Sequence, residues 1–437
     1  MLSAFANAFR TPDLRRKLLF VLMIIAIFRF GSQVPTPGVN VANVETCVDV
    51  VNSGANAELY SLVNLFSGGA LLQLTVFALG IMPYITASII LQLLVVVIPR
   101  LEALKKEGQA GQTKITQYTR YLTLGLAVLQ ATGIVALARS GQLLQGCDPE
   151  LYPLLHNDGT ATFLVMVVTM TAGTAVIMWL GELITERGIG NGMSILIFTQ
   201  VVATFPASLW KVQKEQGWWV FGIVLLIGLV IIAAVIFVEQ AQRRIPVQYA
   251  RRMVGRKMFG GSSTYIPLKV NQAGIIPVIF ASSLMYLPAM LASFNPEADT
   301  WWSNFVNDYL VQTGSPVYMG IFFVLIIFFT YFYVSITFNP EEVADNMKKY
   351  GGFIPGIRAG KPTQDYLSYV LSRITLPGAL YLGIIALIPL IAFAMIGADQ
   401  NFPFGGTSIL IMVGVALDTV KQIESQLQQR NYEGFLR

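Results

Sequence analysis

Charge is scarce in this chain: only 12% of its 437 residues are Asp, Glu, Lys or Arg, about half the share of a soluble domain. With 54% apolar residues and a mean hydropathy of +0.62, so few charged side chains could not cover a water-exposed surface. A membrane resident follows. Histidine and cysteine are nearly missing, with His156, Cys47 and Cys147 the whole supply. Bis-histidine haem, cysteine-rich zinc, iron–sulfur and Cys/His nucleophilic sites therefore lack their ligands, and neither a cofactor nor an enzyme is expected. Gly188-Ile189-Gly190-Asn191-Gly192 superficially resembles a phosphate loop, but it follows a membrane helix and has no Gly-Lys-Ser/Thr ending. Any energy from ATP must then come from another protein. A signal-peptide cleavage site of the Ala-x-Ala kind is also missing after the first apolar run, despite Arg15, Arg16 and Lys17 ahead of it, so that run reads as a retained helix.

What is present is a series of ten apolar segments long enough for a hydrocarbon core of about 30 Å. They run Leu18 to Val34, Leu72 to Ile98, Tyr121 to Ala138, Ala161 to Leu180, Met193 to Leu209, Trp218 to Val238, Ala273 to Ser293, Val317 to Phe338, Leu376 to Ile396 and Thr407 to Val420. With the N-terminus inside, the cytoplasmic connections hold 25 of the 29 Lys and Arg, and the outer loops hold only Arg139, Lys211 and Lys214. Such a bias places both termini in the cytoplasm. The fold class is an all-α polytopic membrane protein. It divides into a tail (1–17), a five-helix half (18–209), a second half (210–420) and a C-terminal tail (421–437). Halves with an odd number of spans insert upside down relative to each other, so two inverted five-helix halves around a central pore are expected. No internal sequence similarity supports the duplication; it is a geometric inference.

Several stretches depart from plain spans. Leu62 to Ile98 is too long for one helix, and Gly68-Gly69 supply a break. The piece before it is either a half-helix inside the bundle beside a cavity or an interfacial loop outside it. Arg29 is the only charge well inside a span, near its outer end, where it would snorkel or pair with a neighbouring helix. Its lone position argues against the buried carboxylates of a proton- or sodium-coupled transporter, although sodium sites built from backbone carbonyls stay open. Cys47 and Cys147 both fall in outer loops, where an oxidising compartment permits a disulfide; two separate thiols is the other outcome.

Two long cytoplasmic loops, 239–272 and 339–375, hold 12 of the 29 cations. In the first, Arg243 to Tyr249 and Ser263 to Leu268 read as two arms of a ribbon. Arg251, Arg252, Arg256 and Lys257 lie towards its tip. In the second, Asn339-Pro340-Glu341-Glu342 opens a short helix that ends at Lys348-Lys349-Tyr350, and a Gly- and Pro-rich turn then displays Arg358. Such cations suit anionic lipid, RNA phosphates or an acidic protein, or simply report topology.

Longer motifs carry a family resemblance. Phe77-Ala78-Leu79-Gly80-Ile81-Met82-Pro83-Tyr84-Ile85-Thr86-Ala87-Ser88, Trp179-Leu180-Gly181-Glu182-Leu183-Ile184-Thr185-Glu186-Arg187-Gly188-Ile189-Gly190-Asn191-Gly192, Pro267-Leu268-Lys269-Val270-Asn271-Gln272-Ala273-Gly274, Pro355-Gly356-Ile357-Arg358 and Phe404-Gly405-Gly406-Thr407-Ser408 resemble the SecY family of bacterial protein-conducting channels. The resemblance implies an hourglass channel in the cytoplasmic (inner) membrane that passes unfolded, signal-bearing precursors and releases transmembrane segments sideways into lipid. It implies the partner subunits SecE and SecG, and the motor ATPase SecA or a ribosome. Signal peptides and nascent membrane proteins would be the passengers. By similarity, Ile81, Ile85, Ile197, Ile279 and Ile411 match the apolar pore ring. Asn64, Leu65, Phe66, Ser67, Gly68, Gly69, Ala70 and Leu71 match the plug. Arg358 and the tip Arg251, Arg252, Arg256 and Lys257 match the docking loops, and a lateral gate is expected between the second and third spans and the seventh and eighth. A secondary transporter for a small solute and a membrane receptor for a cytosolic partner are the competing readings of the residues themselves.

Overall fold

Each of the ten apolar segments contains a helix in the computed structural model. It describes residues 9 and 11–434, apart from 53–67, 142, 145–146, 148–150, 157–158, 250–251, 255–256, 260–262, 294–308, 311–314 and 397–405. The elements in the first half are α1 (Pro12–Gly31), α2 (Val41–Asn52), α3 (Met82–Val97), α4 (Pro99–Lys106), α5 (Gln109–Arg139), α6 (Thr160–Arg187) and α7 (Gly192–Gln240). Four strands follow, β1 (Gln242–Tyr249), β2 (Arg252–Val254), β3 (Lys257–Phe259) and β4 (Ser263–Lys269). The second half holds α8 (Ile276–Ser293), α9 (Pro316–Thr337), α10 (Pro340–Lys349), β5 (Gly352–Phe353), α11 (Lys361–Ile396) and α12 (Gly406–Gly434).

Local chemistry explains most boundaries. Pro12 and Asp13 open α1, where a missing N–H and a negative charge suit the exposed amides of a first turn. The Asn339 side chain accepts from the Glu341 N–H at 3.1 Å, with Pro340 and two acids following, as the sequence predicted for α10. The glycine-rich run before α7 has a packing explanation. The Asn191 side chain caps Met193 N–H, the Thr185 hydroxyl accepts from Gly192 N–H, and a Cβ on Gly192 would stand 1.8 Å from the Gly181 carbonyl oxygen.

The structure changes four expected boundaries. First, the segment expected as a helix from Leu72 is irregular up to Ile81, and helix begins only at Met82. Gly68, Gly69, Leu74 and Gly80 all have positive φ, and Pro83 sits where it starts a helix well and continues one badly. Second, α7 runs for 49 residues, which as one rod would reach about 73 Å. It breaks at Gly217 (φ 83°), so the fifth and sixth spans meet at a kink, and the boundary expected near Leu209 falls inside helix. Third, α11 begins at Lys361, inside the expected loop 339–375, because Leu367, Val370 and Leu371 are buried there. Fourth, the expected tail 421–437 is helical as far as Gly434, with Ile423 buried beside Leu14 and Ile189.

Helix neighbours recur between the halves. The pairings α3–α5, α5–α6 and α6–α7 have counterparts five spans later in α8–α9, α9–α11 and α11–α12, as two duplicated halves require. Across the halves α3 touches α8 and α7 packs on α12. One large apolar cluster draws on both halves. A second fills one end of the first half, where Val44 and Cys47 of α2 pack with Leu143, Leu144, Leu154 and Leu155. There Asn40 N–H donates to the Leu154 carbonyl and His156 N–H to the Gly38 carbonyl, each at 2.9 Å.

Cys47 and Cys147 join in a disulfide across that end, with alpha carbons 5.5 Å apart and 100 residues between them in sequence. A crosslink closing a loop of that size is worth about 2–5 kcal/mol where the loop is otherwise free. Reduction, or the double change of Cys47→Ser and Cys147→Ser, should therefore lower the melting temperature of the detergent-solubilised protein by several degrees. An identical thermal profile with and without reductant would show that packing of α2 alone holds this end.

Candidate functional site

Three features stand out: a set of buried isoleucines, a buried irregular segment, and a basic platform. Ile81 and Ile85 come from the start of α3, Ile197 from the first part of α7, Ile279 from the first turn of α8 and Ile411 from α12. They are 1%, 9%, 5%, 5% and 1% exposed, and all five belong to the one large apolar cluster that draws on both halves. Such a wall offers no fixed charge and no side-chain hydrogen bond. Water entering an apolar constriction loses partners that such a wall cannot replace.

Of the eight residues matched to the plug, Asn64, Leu65, Phe66 and Ser67 lie outside the described residues. Gly68, Ala70 and Leu71 are buried, which places this stretch inside the bundle; the piece before Gly68, expected as a half-helix or an interfacial loop, lies outside the described residues. Its continuation supplies its own hydrogen-bonding partners. Thr36 N–H donates to the Leu74 carbonyl at 3.0 Å and Val76 N–H to the Val34 carbonyl at 2.9 Å, bridging the turn after α1 to the irregular stretch. Gly173 on α6 permits the close approach, since a Cβ there would stand 2.1 Å from the Val76 carbonyl oxygen.

Among the described residues, Arg29 meets the irregular segment and not a helix side chain. Its Nη1 donates to the Gly68 carbonyl at 3.3 Å. Sequence reasoning missed the other side of this contact, Gln200 of α7. The position is 1% exposed, and a Cβ on Gly68 would touch its Cα and Cβ at 3.4 Å. Neither Nε2 nor Oε1 of Gln200 has a hydrogen-bond partner among the described residues. The available signal was that Gln200 is the only amide side chain in the span Met193 to Leu209.

The basic platform is one folded unit. β1 pairs antiparallel with β4 from Gln242↔Lys269 to Gln248↔Ser263, and β5 adds to the other edge of β1 through Gln248↔Phe353 and Tyr249↔Gly352. The two long loops are thereby tied together, which their separation in sequence concealed. Ile245, Val247, Leu268, Met347, Ile354, Leu367 and Val370 form the core under this sheet. Arg252 and Lys257 belong to the tip hairpin β2–β3, paired Arg252↔Phe259 and Val254↔Lys257, while Arg251 and Arg256 lie outside the described residues. Arg358 is exposed on a turn closed by the Thr363 hydroxyl, which donates to the Arg358 carbonyl at 3.0 Å.

At the root of this platform, Asn271 Nδ2 donates to the buried Glu239 carboxylate at 2.6 Å and to the Gly274 carbonyl at 3.1 Å. Lys269 pairs with Asp418 of α12 at 3.5 Å. These groups line a cavity of about 270 Å³ that also touches Asn191 and Lys421. The start of α8 is thus held by the end of α7 on one side and by α12 on the other. Val247→Asp would place an unpaired charge in the core beneath the sheet. Limited proteolysis should then cut at 239–272 and 339–375 well before the helices; unchanged resistance would show that the two loops stand independently.

Comparison with known proteins gives a consistent result. The family model for SecY matches residues 75–420. The protein translocase subunit SecY of Streptomyces scabiei is 68% identical over 441 residues, covering 100% of both chains. Among solved structures, a protein-conducting channel aligns with a TM-score of 0.62 at 19% identity, over 94% of this chain and 91% of that one. Sec61 in the canine ribosome–channel complex from the endoplasmic reticulum aligns with a TM-score of 0.58 at 17% identity, over 94% and 91%. The buried isoleucines, the buried break before α3 and the sheet-backed loops are therefore features of a chain that belongs to the SecY family.

Proposed function

We propose that the chain forms a protein-conducting channel that passes unfolded, signal-bearing precursors across the cytoplasmic membrane of a bacterium and releases apolar segments sideways into lipid. The observation that supports this reading is that Ile81, Ile85, Ile197, Ile279 and Ile411, from four helices of both halves, are all buried in one apolar cluster. Charged residues cost roughly 2.5 to 3.5 kcal/mol each at the bilayer centre, so a secreted chain needs a path through protein. An apolar ring can deform around a passing chain without holding it. Segments of about 20 apolar residues gain roughly 0.3 to 0.6 kcal/mol per Leu, Ile, Phe or Val in lipid, so a side opening sorts them from polar ones. The seam where α3 meets α8 suits that opening.

In this reading the segment 64–71 is the plug and the basic platform faces the cytoplasm, as the distribution of Lys and Arg requires. Arg358 and the β2–β3 tip then dock the motor ATPase SecA or a ribosome, and SecE and SecG complete the channel. The small-solute transporter weighed against this from sequence gains nothing from the described residues or the relatives. Reconstitution into vesicles tests the two directly: transport of a signal-bearing precursor with SecA and ATP supports the channel, and uptake of a small solute without either would replace it.

Two variants probe the parts. Ile85, Ile197 and Ile411 changed together to Asn should wet the constriction, raise resting ion conductance and admit precursors with defective signals, with weaker effects from each single change. Resting conductance indistinguishable from the parent at equal channel density in planar bilayers would reduce these residues to packing. Arg358→Glu reverses a charge on an exposed turn, so assembly should be normal while SecA-driven transport falls sharply at limiting SecA. Full transport there would remove Arg358 from the docking surface.

A further inference from the structure

Gly68 is held between two polar side chains of opposite effect. On one side Arg29 of α1 donates to its carbonyl at 3.3 Å. On the other, Gly68 packs beside the Cα and Cβ of Gln200 of α7, which is 1% exposed and has neither Nε2 nor Oε1 paired among the described residues. We propose that Arg29 and Gln200 set the resting balance of the plug, Arg29 as a latch that favours closure and Gln200 as a release element that favours opening. The proposal rests on the channel reading and deepens it.

The signs follow from hydrogen-bond accounting. While Gly68 sits in place, the guanidinium has a carbonyl acceptor, and a charged donor makes the stronger kind of hydrogen bond. When Gly68 leaves, that bond is lost. Gln200 behaves the other way. Its amide was stripped of water without replacement partners, which raises the free energy of the closed arrangement. In the proposal, departure of Gly68 from beside the Gln200 Cα and Cβ admits water to the amide, and the penalty disappears. The closed state therefore carries one interaction that opening destroys and one defect that opening repairs. A plug held only by the first would resist weak signals, and one exposed only to the second would leak. Glycine is required at the contact: φ is +63°, and an added Cβ would crowd Arg29 Nη1 at 3.3 Å.

Planar-bilayer recording of the channel complex, at equal channel density, separates this from ordinary packing. Gln200→Leu keeps the volume and removes the unpaired amide; spontaneous openings should become about tenfold rarer, and precursors with weakened signals should be transported less. Arg29→Met keeps an unbranched chain and removes the donor; openings should become about tenfold more frequent. Arg29→Lys retains a cationic donor and should return towards the parent. Opposite signs for Gln200→Leu and Arg29→Met are the decisive readout, because simple misfit at two packed positions would raise openings in both. Openings unchanged in both variants, or raised in both, would overturn the latch and release assignment. SecA-driven precursor transport by the parent in the same preparation keeps the two levels apart. A parent that transports nothing sinks the channel reading, whereas a transporting parent with unaltered variants sinks only this proposal.

Discussion

Hydrocarbon offers no hydrogen-bond partner, so every backbone N–H and C=O at membrane depth must be satisfied by the protein itself. Nine of the ten spans meet this demand as helix through most of their length; the second does so only from Met82 onward. Before it, residues 68–81 lie inside the bundle in irregular form, which is tolerable because Val34 and Thr36 provide backbone partners and Gly173 lets the neighbouring helix close in. The consequence reaches the pore. With only 16 residues, α3 is about 24 Å long and leaves room at its start for the segment that carries Gly68. Ile81 and Ile85 stand where irregular chain turns into helix. These two residues expected in the ring and those expected to form the plug are therefore neighbours along one continuous local stretch.

Hydropathy made the ten spans legible because burial in lipid selects for long apolar runs whatever the tertiary contacts. It could not separate Leu72–Ile81 from helix, since a buried irregular segment is as apolar as a buried helix; Gly80 and Pro83 were the local signs. The polar starts and ends of helices escaped for the opposite reason. Residues 361–375 and 421–434 carry many polar side chains and owe their helical form to contacts with distant strands and with α1. β5 has two residues and pairs with a strand about a hundred positions earlier, which no local pattern encodes. The disulfide was visible as an opportunity in Cys47 and Cys147 but not as a distance. The isoleucines came from resemblance, because a single Ile in an apolar run looks like any other.

The platform bears on the pore through a short path. Asn271, bonded to the buried Glu239, lies five residues before α8 begins, and α8 carries Ile279 and meets α3. The Lys269–Asp418 pair is well exposed, and exposed pairs contribute only about 0–1 kcal/mol, so it orients more than it holds. The stiffness comes instead from the sheet core and from the Glu239–Asn271 bond, which sits in a buried site where its loss would leave a carboxylate uncompensated.

That distribution of stiffness has a mechanical meaning. α3 and α8 touch far more sparsely than either touches its neighbour within its own half. In the proposed reading, a displacement of the β4–β1–β5 sheet would enter α8 through the Asn271–Glu239 bond and meet the thinnest packing at the seam with α3. Ile85 and Ile279 lie on the two helices of that seam, so parting it would widen the proposed ring and the side opening in the same motion. The plug stands on a different support: Arg29 and Gln200 belong to α1 and α7, outside the seam. In the proposed reading, widening can therefore begin while Gly68 is still held, which would loosen the constriction before the seal.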